Sequence, residues 1–177
     1  MRRMGTRGAV AVGDSTEWRG VYNHAGSEPP TLGAAVWRAL ADARAAGVSL
    51  ADLARAVVDA GRWEAFVARD SVNPPDALTS ADVDPLFIEW IYVIDVPTRR
   101  LHVLGHAPTT ARHDEWMLDL VDSFALDGEE PDWQACQKRH TRKHADKRLA
   151  YIRERFGDAA YASARRQMLG DDDTDAY

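Results

Sequence analysis

The chain predicts an α+β fold: an antiparallel sheet built from two hairpins, with helices packed over it. Three observations lead there. Residues 9–12 and 18–24 flank the turn-rich Asp14-Ser15-Thr16 and read as a first hairpin. Residues 87–94 are dense in β-branched and aromatic side chains, and after Asp95-Val96-Pro97-Thr98-Arg99 the chain returns through 100–104, a second hairpin. Elsewhere apolar residues recur at helical spacing.

Taken in order, period two in the first hairpin sets Trp18, Gly20, Tyr22 and His24 on one face. Arg19, Val21 and Asn23 take the other. Residues 25–30 end in Pro29-Pro30, which stops helix and ladder alike, and form a loop. Thr31 is expected to cap a helix carrying Leu32, Val36, Leu40 and Ala43, with Gly47 at its end. Ser49 and Asp52 resemble a capping box for a second helix, whose stripe is Leu50, Leu53, Val57 and Ala60, closing near Gly61. Residues 63–67 form a short element. Residues 70–85 contain Pro74, Pro75 and Pro85 among Asp, Ser and Asn and read as a connecting loop, long enough to imply local structure or function.

In the strand over 87–94, Phe87, Glu89, Ile91 and Val93 share one face, and Ile88, Trp90, Tyr92 and Ile94 the other. Both faces read as covered, which marks a central strand. Residues 114–126 predict a helix through Met117, Leu120, Val121 and Phe124, stopped by Asp127-Gly128. Glu129-Glu130-Pro131-Asp132 then opens a long helix to residue 156, with Pro and acids in its positive first turn. Gly157-Asp158 breaks it, and a last amphipathic piece runs to 169.

Composition bounds the function. The 177 residues predict one domain over 1–170 and an acidic, flexible tail at 171–177. The apolar share is 45%, and Trp at 18, 37, 63, 90, 116 and 133 runs from end to end, which argues against a long disordered half. No apolar run reaches the roughly 18 residues of a membrane span, so no membrane partner is expected. Arg2, Arg3 and Arg7 precede no apolar core of a secretory signal, and 1–3 read as an extension ahead of a second start at Met4. Cys136 is alone, which excludes an internal disulfide and fits a reducing cytoplasm. The net charge of −6 disfavours wholesale phosphate binding but leaves room for local basic patches. No residue pattern identifies a cofactor.

The first hairpin is the leading site. Arg7 has the fork geometry to hold a carboxylate or phosphate, and Gly8 permits close approach of a ligand. His24, where the strand leaves the sheet, is the natural general acid or base. Tyr22 shares its face and supplies a hydrogen bond; Glu89 or Asp95 from the second hairpin would orient the imidazole. The bland alternative is an Arg tethering a carboxylate and a His satisfying a turn. Thr6 as an N-terminal nucleophile needs a cleavage that removal of Met4 does not provide.

The long helix offers two further readings. Cys136, His140 and His144 are four residues apart and fall in one sector, a workable half-site for zinc. The HExxH glutamate is missing, and a packed face with polar tips explains the spacing as well, so no metal is assigned. Lys138, Arg139, Arg142, Lys143, Lys147 and Arg148 stand against Asp146, and a basic helix over 133–156 can bind nucleic acid or an acidic partner, with Lys138, Arg142 and Lys143 as contacts. Ala145, Leu149, Ile152 and Phe156 lie opposite Cys136 and His140, so the helix either buries different sides along its length or is interrupted. Residues 47–54 have the flavour of a helix-turn-helix entry, but no recognition helix follows.

Met4-Gly5-Thr6-Arg7-Gly8, Tyr22-Asn23-His24, Pro29/Pro30 and Leu32-Gly33, with Trp90-Ile91-Tyr92-Val93-Ile94-Asp95 and Leu101-His102-Val103, resemble a group of uncharacterised bacterial and phage proteins. These begin Met-Gly-Thr-Arg-Gly or -Ser and continue through a Tyr-x-His segment to Pro-x-x-Leu-Gly. The likeness covers a third of the chain and implies the layout of the two hairpins. The group carries Trp-Asp-Gly-Tyr after the His, where this chain has Ala25-Gly26-Ser27-Glu28. The functional expectation is a small anionic-ligand or hydrolytic pocket at the first hairpin. The alternative is a non-catalytic module that docks its basic helix on nucleic acid or an acidic protein.

Overall fold

The structure is a computed structural model and describes residues 6–59, 77–85, 87–108 and 116–169. Met4 and Gly5, the element expected at 63–67 and the tail at 171–177 lie outside the described residues. Six strands form one sheet: β1 (Gly8–Gly13), β2 (Trp18–Asn23), β3 (Ala77–Thr79), β4 (Trp90–Asp95), β5 (Arg100–Pro108) and β6 (Trp116–Ala125). Their order is β3-β2-β1-β4-β5-β6. β1 runs parallel to β4, and every other neighbouring pair is antiparallel. The α+β class is as expected; the sheet is mixed and larger than two hairpins.

Two departures have local causes. β3 sits inside the stretch expected to be loop and pairs with β2 through Val21, Gly20 and Arg19. The segment expected as a helix at 114–126 is the edge strand β6. A register shift opposite Val103 and Leu104 leaves Val121 without its own partner, since Leu120 pairs with Leu104 and Asp122 with Val103. That bulge lets Val121 and Phe124, three apart, pack on one core, and so imitates helical spacing.

β4 begins at Trp90 because the Phe87 and Ile88 amides instead donate to the Asp84 carbonyl, at 3.0 and 3.1 Å. As expected, β4 is central, and all six of its residues are buried. After β2, a π-helical turn over Pro29–Gly33 leads directly into α1 (Ala34–Ala45), with no side-chain cap. Thr31 therefore does not cap; the two prolines, with φ preset for helix and no amide to satisfy, begin the turn themselves. α2 (Leu50–Asp59) does carry its cap: Ser49 Oγ accepts the Asp52 amide at 3.1 Å and donates to Asp52 Oδ2 at 2.6 Å.

α3 (Trp133–Phe156) starts where Asp132 accepts the Ala135 amide at 2.9 Å. It is uninterrupted and changes its buried side. Trp133, Cys136 and His140 are buried towards the sheet, whereas Ala145 and Leu149 are buried on the opposite side. α4 (Asp158–Leu169) packs against α3 after Gly157.

The sheet has two unlike faces. On one, Val10, Val21, Tyr92, Ile94, Leu101 and Val103 pack against Leu32, Trp37, Leu40, Trp133 and Cys136. Trp133 meets Trp37 and Phe124 edge-on, with ring centroids 6.3 and 5.4 Å apart, each worth about 1 kcal/mol beyond area burial. On the other, Ala9, Ala11, Trp18, Ile91, Val93 and Leu104 cluster with Ile88, Leu78 and Val83, and no described helix contributes to that cluster. Among the described residues no helix is long and apolar enough to cross a membrane.

Candidate functional site

Strand register brings the first-hairpin residues together at one end of this second face. Gly8 pairs with Asn23 on β2 and with Trp90 on β4, and Trp90 pairs with Gly105 on β5. One step further along each chain stand His24, Arg7, Glu89 and His106. The backbone carries the register through this row: the Glu89 amide donates to the Arg7 carbonyl and the His106 amide to the Glu89 carbonyl, both at 2.9 Å. Alternation along the strands sets the four on the face of Tyr22, Ala9, Ile91 and Leu104. A polar row thus borders an apolar one.

Arg7 is half-buried, and among the described residues its guanidinium has no carboxylate partner. Its amide points at Glu89 Oε1, 3.4 Å away. His24 is exposed at the rim; its Nδ1 lies 3.4 Å from the Tyr22 hydroxyl, with the rings edge-on at 5.9 Å. Among the described residues Tyr22, and not Glu89, is the hydrogen-bond neighbour of the imidazole. β1 separates Glu89 from His24, which sets their backbones about 10 Å apart.

Gly8 serves packing. A Cβ there would stand 2.5 Å from the Trp90 carbonyl oxygen and 2.6 Å from Ser27 Cβ. Ser27 is fully buried and pins the loop after β2: its hydroxyl accepts from Asn23 Nδ2 at 2.8 Å, and its carbonyl accepts from the Tyr92 hydroxyl at 2.8 Å. Thr6 donates to Glu28, and the Ser27 amide donates to the Thr6 carbonyl at 3.1 Å. The close approach that Gly8 permits is by this loop, whose tethering fixes where His24 leaves the sheet.

Asp95 is not part of the row. It ends β4 six residues beyond Glu89, roughly 20 Å away, and its Oδ2 lies 3.2 Å from His102 Nε2. Burial works against its ionisation, but hydrogen bonds from the Thr98 side chain and amide and from His102 hold its carboxyl below the usual value. Asp95, Asp14 and Glu17 line a cleft of about 410 Å³ between the β1–β2 and β4–β5 turns, with Val12, Pro97 and Thr98. Asp14 there is held at about 2, chiefly by the Thr16 side chain and then by the Glu17 and Thr16 amides. That acidic end is unsuited to the anion expected beside Arg7.

His106 went unread in the sequence, although its signal is arithmetical. The hairpin turn that pairs Asp95 with Arg100 also sets Glu89 opposite His106. Burial lowers the His106 pKa, opposed by Glu89 and by a bond to the Pro85 backbone. His102, Leu104 and His106 alternate on the same face.

The residues of α3 divide as well. The thiol of Cys136 is fully buried and its pKa is pushed up to about 11 by burial. His140 is buried against Trp90, with ring centroids 4.7 Å apart, and against His144 at 4.9 Å. Among the described residues no group of three or more His, Cys, Asp or Glu is placed to hold a metal ion. Of the three basic contacts expected, Lys143 is bound to Asp119 on β6 at 2.5 Å, as Arg139 is to Asp122. Lys138 and Arg142 are exposed.

No protein-family model, no curated protein and no solved structure matches this chain.

Proposed function

We propose that the end of the sheet bearing Arg7, Tyr22, His24 and Glu89 binds a small anion, carboxylate or phosphate, and supports its hydrolytic turnover. The observation that carries this reading is the row itself. A half-buried guanidinium, without a carboxylate partner among the described residues, stands between an exposed imidazole and a carboxylate, each one residue beyond the end of its own strand. A fully buried arginine ordinarily has its acid; half-buried Arg7 has none among the described residues, which leaves its guanidinium for a ligand's. Arg7 supplies the charge-assisted hydrogen bonds that hold the anion.

His24 moves the proton. In the tautomer that donates its Nδ1 proton to the Tyr22 hydroxyl oxygen, 3.4 Å away, Nε2 keeps its lone pair, takes a proton from the attacking water as a base and returns it to the leaving group as an acid. Glu89 closes the row on its far side, with Oε1 3.4 Å from the Arg7 amide. Arg7, His24 and Glu89 each lie one residue beyond the end of a strand, next to backbone paired in the sheet.

Hydrolysis of generic phosphate-ester and carboxylate-ester substrates by wild type, His24→Ala and Tyr22→Phe tests the catalytic half of the reading. Urea unfolding of the same samples serves as the control. Turnover that falls at least about 100-fold in His24→Ala, with unfolding midpoints unchanged, supports the role. Equal turnover in wild type and His24→Ala refutes it.

A further inference from the structure

The charge of this chain is segregated. Residues 133–169 carry ten Lys or Arg against three Asp or Glu, while the rest carries twelve against twenty-five. An acidic body therefore bears one strongly basic appendage, α3 and α4. α3 spans about 36 Å. Its first turns pack on the sheet, and α4 packs along α3.

Within this appendage Arg139, Lys143 and Arg153 are neutralised by Asp122, Asp119 and Asp158. Lys138, Lys147, Arg148, Arg155 and Arg166 are exposed and, among the described residues, have no carboxylate partner. They are distributed around and along the two helices. Phe156 is the sole large apolar side chain exposed on either described helix. A protein partner needs buried apolar or aromatic anchors at its contact, and a membrane surface needs a continuous apolar face. A single Phe156 makes neither, and the remainder of this surface offers charge.

We propose that α3 and α4 form a docking surface for the phosphodiester backbone of nucleic acid, bound without regard to sequence. The partner's charges are closely and regularly spaced, so cations spread along a helix each find a phosphate without a shaped pocket. The acidic remainder of the chain is repelled, which leaves this end facing the nucleic acid. Three to five contacts imply affinity for duplex DNA that falls about 40- to 500-fold between 50 and 200 mM salt.

Fluorescence anisotropy on the full chain tests this, with a labelled 20-base-pair random duplex and labelled single-stranded DNA and RNA of the same length. The expected result is binding to at least one of these at 50 mM salt with that steep salt dependence. Lys147→Glu/Arg148→Glu and Lys138→Glu/Arg155→Glu should each weaken it at least 10-fold, while Arg19→Glu, exposed on β2, leaves it within about twofold. Equal melting temperatures establish that the variants fold. The proposal is overturned by absence of binding at 50 mM salt, or by charge reversals no more harmful than Arg19→Glu. It is also overturned if polyglutamate or phosphatidylserine vesicles bind as tightly as the nucleic acids.

Discussion

The imidazole of His140 lies over the α-carbon of Gly105, so closely that a methyl group added there would stand 2.6 Å from Nε2 and 3.0 Å from Val121 Cγ2. This contact seats α3 on the sheet between β5 and the bulge of β6. His140 is held by Trp90 from one side and His144 from the other, so it has little room to yield. Gly105→Ala is expected to cost about 1–3 kcal/mol by overpacking, read from urea unfolding. An unchanged midpoint would show that α3 sits elsewhere.

The same histidines set a pH dependence. His140 is pushed down to about 4, first by burial and then by the neighbouring His144 and His106. His144 is lowered too, by burial against the opposing pull of Asp119. Above pH 6.5 both folded and unfolded chains hold these rings neutral. As pH falls from about 6.5 to about 4, the unfolded chain takes up protons that the folded one refuses. Stability therefore declines through that window, by about 3 kcal/mol from His140 alone. Thermal unfolding from pH 8 to 4 should show the decline, and His140→Gln should flatten it.

Asp95 and His102 form a buried pair at the acidic end of the sheet. Asp95→Ala leaves His102 without its partner and should cost at least about 2 kcal/mol. Because Asp95 lies roughly 20 Å from Glu89 along β4, anion binding at the Arg7 end should be untouched. Loss of anion binding in this variant, at a temperature where it remains folded, would contradict the separation of the two ends.

Cys136 is expected to be inert in the native protein, since burial both excludes reagents and disfavours the thiolate. Iodoacetamide at pH 8 should label it at the rate of unfolding, and rapidly in urea. Rapid native labelling would place the thiol at the surface.

Much of this arrangement was legible in the residues, for reasons that can be named. The Asp14-Ser15-Thr16 break and the turn after Asp95 fix antiparallel partners locally, so the faces of β2 and β4 followed from period two. Ser49 with Asp52, and Asp132 before Trp133, mark helix starts through side-chain chemistry that acts within one turn. The parallel pairing of β1 with β4 joins residues 82 apart in sequence, Gly8 and Trp90, and no local signal encodes it. That pairing is what sets Arg7 beside Glu89. β6 was misread because its bulge replaces alternation with a three-residue step. The change of buried side along α3 was visible in Ala145 and Leu149, whereas the packing of α4 on α3 is a tertiary contact.

The account's central claim is that Arg7 holds an anion beside His24. Its most direct test is the melting temperature of wild type, Arg7→Ala, Arg7→Lys and His24→Ala across phosphate, sulfate, small carboxylates and phosphorylated metabolites, at fixed ionic strength. A ligand that binds only the folded state must raise stability. The account predicts that at least one anion raises the wild-type melting temperature. Arg7→Ala should weaken that anion about 10- to 100-fold, and Arg7→Lys should recover only part of the loss. No stabilising anion, or one that stabilises Arg7→Ala as strongly as wild type, would contradict it.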